Sequence, residues 1–234
     1  MRRPLILLFF TSCLLLSGIV RGQETNETVP DTTGFAQVYG LRVGADLSKL
    51  ARTALENGYS GFELVGDFRL TDRFYLAAEL GNENKERFES NLNSIASGSY
   101  IKIGGDFNAY VNWLDMNNAI FVGLRYGFST FRQELLAYGI YTSNQTFPGT
   151  FRVDPVEYTG LTASWIELMV GIKTEIFKNL FLSLNLQLKR KVNETKPDNF
   201  DNLYIPGFNR TYDFSEFGVG YGYTISYLIP IFKR

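Results

Sequence analysis

Apolar and polar residues alternate along most of the chain, and eight segments between Tyr39 and Tyr227 follow this period of two. Such alternation marks β-strands whose two faces meet different surroundings. The first segment, Tyr39 to Ser48, sets Leu41, Val43, Ala45 and Leu47 against Arg42, Gly44, Asp46 and Ser48. The second sets Phe62, Leu64, Phe68 and Leu70 against Gly61, Glu63, Asp67 and Arg69, and the third sets Phe74, Leu76, Ala78 and Leu80 against Tyr75, Ala77, Glu79 and Gly81. In the fourth, Ile101, Ile103, Phe107 and Ala109 oppose Lys102, Gly104, Asp106, Asn108 and Tyr110. The fifth alternates from Ile120 to Ser129 with Arg125 on its polar face, and the sixth from Ile166 to Ile176 with Glu167, Lys173 and Glu175. The seventh is the most regular: Leu180, Leu182, Leu184, Leu186 and Leu188 alternate with Phe181, Ser183, Asn185, Gln187 and Lys189. In the last, Phe217, Val219, Tyr221, Tyr223, Ile225 and Tyr227 oppose Gly218, Gly220, Gly222, Thr224 and Ser226.

The connections alternate too. They are short after segments two, four and six (Thr71-Asp72, Asn112 to Asn118, Lys178-Asn179) and long after the others: roughly Lys49 to Gly58, Asn82 to Ser97, Thr130 to Thr162 and Arg190 to Glu216. Each segment approaches the roughly 9 to 11 residues of a tilted membrane strand, and the short-long alternation is that of an outer-membrane barrel. The predicted fold is all-β: an eight-stranded antiparallel transmembrane up-and-down β-barrel with short periplasmic turns and long extracellular loops. Trp113 beside a short turn and Trp165 beside a long loop are expected to place an indole at each membrane interface. A soluble antiparallel sheet would also alternate. The polar face here, however, mixes Gly with charges of both signs, which suits a narrow interior better than a wet surface.

Composition narrows the chemistry. The chain has 234 residues, no His, one Cys and a formal net charge of −1. Without His there is no Ser-His-Asp or Cys-His system and no His-ligated metal, and without excess positive charge nucleic acid is excluded as a partner. Met1 to Gly22 reads as a signal peptide: basic Arg2-Arg3, an apolar run from Leu5 to Leu16, and a small-residue cleavage site at Val20-Arg21-Gly22. Cys13 lies inside that run, which argues against a lipid anchor. Cleavage after Gly22 removes Arg2, Arg3 and Arg21, leaving 20 basic against 24 acidic residues, net −4. Residues 23–37 are polar and are expected to form a flexible periplasmic lead-in, with the barrel spanning 38–234.

Inside such a barrel Arg42, Arg69, Lys102, Arg125, Lys173 and Lys189 would face Asp46, Glu63, Asp67, Glu79, Asp106, Glu167 and Glu175. Eight strands enclose a space that side chains fill, so these groups are expected to pair into a network. No Ser-Lys pair stands out, and Asp198, Asp201 and Asp213 lack calcium-loop spacing. The expectation is therefore no catalytic residue, no metal and no cofactor. Loop four holds Pro197, Pro206, Gly207 and several aromatics, which implies a defined conformation. Tyr204, Phe208, Arg210 and Tyr212 are its candidate binding anchors for an extracellular protein or glycan. The alternative is that these aromatics fold down and cap the mouth.

The runs Gly40 to Gly44, Phe74 to Gly81, Val122 to Ser129, Asn202 to Tyr212 and Tyr223 to Phe232 resemble a Bacteroidota outer-membrane family catalogued as domain of unknown function 6048. The resemblance covers nearly the whole mature chain. It implies a cell outer-membrane location and a barrel fold, with membrane lipid and the barrel assembly machinery as partners, and it supplies no activity. The chain departs from many barrels by ending in Lys233-Arg234 after Phe232. The function expected is a non-enzymatic surface-binding or envelope-structural role through loops three and four. A His-independent enzyme acting on lipid or peptide, or a narrow channel, are the alternatives.

Overall fold

A computed structural model describes residues 38–113, 118–140, 150–198, 200–212 and 214–233. The proposed signal peptide and lead-in, the single Cys, and residues 114–117 and 141–149 lie outside the described residues. The elements in chain order are β1 (Val38–Asp46), α1 (Leu47–Leu55), β2 (Tyr59–Arg69), β3 (Phe74–Glu89), β4 (Leu92–Trp113), β5 (Asn118–Ile140), β6 (Thr150–Arg152), β7 (Val156–Phe177), β8 (Leu180–Glu194), β9 (Tyr204–Ile205), β10 (Asn209–Arg210) and β11 (Phe217–Lys233). Every pairing is antiparallel. Strands β1, β2, β3, β4, β5, β7, β8 and β11 follow one another around a sheet that closes on itself through the β1–β11 and β4–β5 pairings.

Closure leaves no unpaired edge along the ring, so the backbone hydrogen bonds are satisfied without solvent. The outward positions are the apolar ones: Leu41, Val43, Leu64, Leu76, Leu80, Ile103, Leu124, Leu168, Val170, Leu184 and Leu186 are all exposed, the last at 60%. The inward positions carry the charges and small residues. Two tight turns lie at one end of the ring. Thr71 Oγ1 accepts from the backbone N–H of Phe74 at 3.1 Å, and Asn179 takes the left-handed conformation at φ 66° that Asn tolerates.

Several expectations are corrected. The strand read as far as Ser48 ends at Asp46, and the loop read from Lys49 to Gly58 is mostly helix α1. Asp46 is its N-cap: its carboxylate accepts from the Ser48 N–H at 2.7 Å and redirects the chain. The connections expected at Asn82 to Ser97 and Thr130 to Thr162 are largely strand, because β4, β5 and β7 run for 22, 23 and 22 residues. Outward residues there, such as Asn82 at the continuation of β3 and Arg132 of β5, are polar. The hydropathy signal therefore fades while the backbone ladder continues. Tyr110, expected inward, is 56% exposed, because the register shifts between Asn108 and Tyr110.

Trp165 is also corrected. It is 0% exposed inside the ring and does not stand at an outer rim. The space for its indole is made by Gly127, where a Cβ would come within 2.2 Å of the indole Cε2. The side chain of Trp113 lies outside the described residues.

Candidate functional site

The interior is built from the inward half of each alternating strand. Near the turn-bearing end, Asp67 of β2 receives Arg42 of β1 and Lys173 of β7, each at 2.6 Å. The Arg42 guanidinium also lies over the Tyr75 ring at 4.7 Å and the Phe181 ring at 5.1 Å. Above this, Arg125 of β5 joins Asp106 of β4 at 2.7 Å and Glu79 of β3 at 3.2 Å. Glu79 is shared with Lys102, which also meets Glu63 at 3.1 Å and Glu167 at 3.9 Å. Lys189 approaches the other side of Glu167 at 3.6 Å. Ten of the thirteen interior charges read from the sequence thus fall into these two groups.

The other three do different work. Asp46 caps α1 and also accepts from the Tyr223 N–H at 3.2 Å. Arg69 donates to the backbone carbonyls of Thr71 and Asp72 in the turn. Glu175 accepts from the Asn179 N–H at 2.9 Å in the opposite turn. The space left between the two charge groups is a cavity of about 40 Å³ bordered by Asp67, Arg125, Met169 and Lys173. That is room for about one water molecule.

At the end bearing the long connections the interior is capped. Glu83 of β3, fully buried, accepts from Tyr59 OH at 2.8 Å, Tyr204 OH at 2.8 Å and the Gly207 N–H at 2.9 Å, and is ion-paired with Lys49 of α1. One carboxylate therefore fastens the helix, two strands and the 200–212 segment together. Lys189 donates to the Gly207 carbonyl at 2.6 Å from below. Gly207 has φ +82°, and a Cβ there would come within 2.6 Å of Tyr100 and 2.9 Å of Trp165, so both its conformation and its close approach demand glycine. Ile205 and Phe208 pack with Tyr100, Phe131, Leu161 and Trp165 in a buried apolar cluster, with Phe208 edge-on to Trp165 at 5.9 Å.

This places the four loop candidates on two sides of the cap. Tyr204 and Phe208 are buried and hold the cap down, so they do not form an outer contact face. Burial and the adjacent Glu83 carboxylate push the Tyr204 phenol well above its ordinary pKa, which keeps it a hydrogen-bond donor. Arg210 and Tyr212 are exposed, the guanidinium lying 5.4 Å from the ring. Two residues outside the sequence expectation, Lys49 and Glu83, prove central. Glu83 had a signal, since it continues the inward parity of Glu79 and Gly81 by one more step. Lys49, on a helix that the strand alternation does not announce, had none.

Among the described residues no group of three or more acidic side chains is arranged to hold a metal ion. The buried carboxylates pair with ammonium and guanidinium groups, and two of them also accept from tyrosine hydroxyls: Glu83 from Tyr59 and Tyr204, and Glu63 from Tyr100 at 2.5 Å. Residues 5–234 match the family model described as Domain of unknown function (DUF6048). The chain belongs to this family. The family description carries no activity, so the geometry of the family member described above is what bears on function. No curated protein matches the chain.

Removing one partner of a buried ion pair leaves a charge without compensation and costs about 3 to 5 kcal/mol. Glu83→Gln is therefore expected to free the cap, read as trypsin cleavage after Arg210 under conditions in which the parent protein resists. Combining Lys49→Met with Glu83→Met should recover part of that protection. At the end of α1, burial raises the Glu56 carboxyl pKa, but hydrogen bonds from Arg52 at 2.8 Å and Lys85 at 2.7 Å outweigh it and hold the pKa below the ordinary value of 4.5. A depressed carboxyl stabilises the fold above its unfolded pKa and loses that contribution as pH falls through the folded value. Protection of the α1 amides, taken relative to the intrinsic exchange rate at each pH, should thus fall below about pH 4.5, and Glu56→Gln should flatten that dependence.

Proposed function

We propose that this chain is an integral outer-membrane β-barrel that acts without enzymatic chemistry, as a surface-binding or envelope-structural protein working through its outward loops three and four. The observation that carries this reading is the inverted polarity of the ring. Leu184, Leu186 and Leu188 stand outside while Glu167, Lys102 and Lys189 are buried inside. In water that arrangement leaves a large apolar surface exposed, whereas hydrocarbon solvates it. The closed ring also meets the demand that a membrane places on backbone N–H and C=O groups. On this reading the turn-bearing end faces the periplasm, following the cleaved leader and the 23–37 lead-in, and the capped end faces outward.

The filled interior favours a closed barrel over a channel. Charge pairs and aromatic rings occupy the space from Asp67 up to Glu83, and the 200–212 segment covers them. The absence of His and the mutual pairing of the carboxylates favour a non-enzymatic role over an enzyme.

Leu184→Arg, on the lipid face, should cost about 2 to 4 kcal/mol and block membrane assembly, whereas Gln187→Arg, facing inward, should be milder. Equal tolerance of the two, scored by recovery in the outer-membrane fraction, would contradict insertion. Reconstituted into planar bilayers, the protein should give no steady porin-like current; a large stable conductance would overturn the closed interior.

A further inference from the structure

At the end bearing the long connections, α1, the β3–β4 hairpin and the Leu203 to Arg210 stretch enclose a cleft of about 470 Å³. That size is within the range of small-ligand sites, roughly 300 to 1,000 Å³. Its charges do not balance. Lys85, Arg87 and Glu89 of β3 continue the inward parity of Glu83, while Glu86 falls on the other face of the sheet. The inward side therefore holds four cations, Arg52, Lys85, Arg87 and Arg210, against two carboxylates, Glu56 and Glu89. Glu56 is shared by Arg52 at 2.8 Å and Lys85 at 2.7 Å, and Glu89 is held by Arg87 at 2.7 Å. Arg210 joins no salt bridge among the described residues; its charge reaches Glu89 from farther off, adding to the Arg87 hydrogen bond that lowers the Glu89 carboxyl pKa. The side chains of Arg52, Lys85 and Arg87 are only 21 to 24% exposed, so solvent screens them incompletely.

The guanidinium groups also retain donors. Arg52 and Arg87 each donate Nε–H to their carboxylate, and among the described residues no acceptor takes a hydrogen bond from the Nη atoms of Arg52, Arg87 or Arg210. The Tyr59 ring, 3.8 Å from the Arg52 Cζ, holds that guanidinium at a set orientation. Planar guanidinium groups with adjacent N–H donors recognise oxyanions bidentately. The excess of two positive charges then selects the charge of the oxyanion. A phosphate monoester carries about −1.5 to −2 at pH 7 and matches it, whereas one carboxylate supplies half as much and a neutral sugar none. We propose that this cleft binds a phosphate monoester, gripped by the Nη donors of Arg52, Arg87 and Arg210 and attracted by the charge of Lys85. The proposal rests on the reading that loop four faces outward, and it names the ligand class for that surface.

The test uses the full chain in neutral detergent and phosphate-free buffer, titrated calorimetrically in two arms. One arm compares glucose 6-phosphate with glucuronate and glucose; the other compares a water-soluble short-chain phosphatidic acid with the matching phosphatidylcholine. Saturable binding of at least one phosphate ester is expected, tenfold or more tighter than its controls. Arg87→Ala combined with Arg210→Ala should weaken it at least tenfold, and Arg132→Ala on the outer face should leave it unchanged. Binding of glucose 6-phosphate alone assigns the phosphate to a soluble ester, and binding of phosphatidic acid alone to a lipid headgroup; either supports the site. Binding of neither ester, or equal binding by parent and double variant, overturns it. Glucuronate binding as tightly as glucose 6-phosphate overturns the selection by charge. Heat-dependent gel migration is run alongside: a normal shift without binding rejects only the cleft, whereas binding by a parent protein that shows no shift rejects only the membrane reading.

Discussion

Every charge that enters an eight-stranded ring has to find its partner there, because the space is too narrow to bring bulk water with it. The rest of the structure follows from that constraint. Cations and carboxylates come from different strands, so each pair ties together parts of the ring distant in sequence: Asp67 with Lys173, Glu79 with Arg125, Glu167 with Lys102. Such pairs contribute little net stability against well-packed apolar groups. What they supply is a penalty for any other register, since sliding one strand by a single residue would turn its charges outward and strand their partners. Glycines on the inward face make room for the long side chains, as Gly127 does for Trp165.

The same logic explains the cap. Left open, the upper layer of charges would meet solvent at the mouth. Glu83 prevents this by gathering α1, β2 and loop four onto one carboxylate, and the apolar cluster around Trp165 and Phe208 then excludes water from the layer below. Loop four therefore has two faces with different duties. Its Tyr204 to Phe208 side closes the interior, and Arg210, Tyr212 and Phe214 are turned to the surroundings. A segment fixed from beneath in this way presents its outer side chains on a rigid base, which lowers the entropy cost of binding.

Much of this was legible in the sequence, for a definite reason. In a ring with unlike media on its two faces, alternation reports orientation directly, so Leu184 and Gln187 could be assigned to opposite sides without coordinates. The reading stopped where the outside became polar. Beyond Gly81, Phe131 and Leu161 polar residues such as Asn82 and Arg132 stand outward while apolar ones such as Leu135 are buried, so the apolar-outside pattern ends although the ladder continues, and alternation alone reads strand as loop there and passes over Glu83. Bulges are equally silent, and one of them turned Tyr110 outward. Loop four was recognisable as ordered from its prolines, glycine and aromatics. Which aromatics point inward depends on the glycine at 207 fitting between Tyr100 and Trp165, a fact of three dimensions.

The central claim is that the ring's apolar exterior faces lipid while its paired interior stays closed. Electrophoresis of the outer-membrane fraction, with and without boiling, tests it most directly. The account predicts that the protein is recovered in that fraction and that the unboiled form migrates faster, because a closed ring of paired strands resists detergent until heated. Recovery in the soluble fraction, with a single mobility before and after boiling, would contradict it.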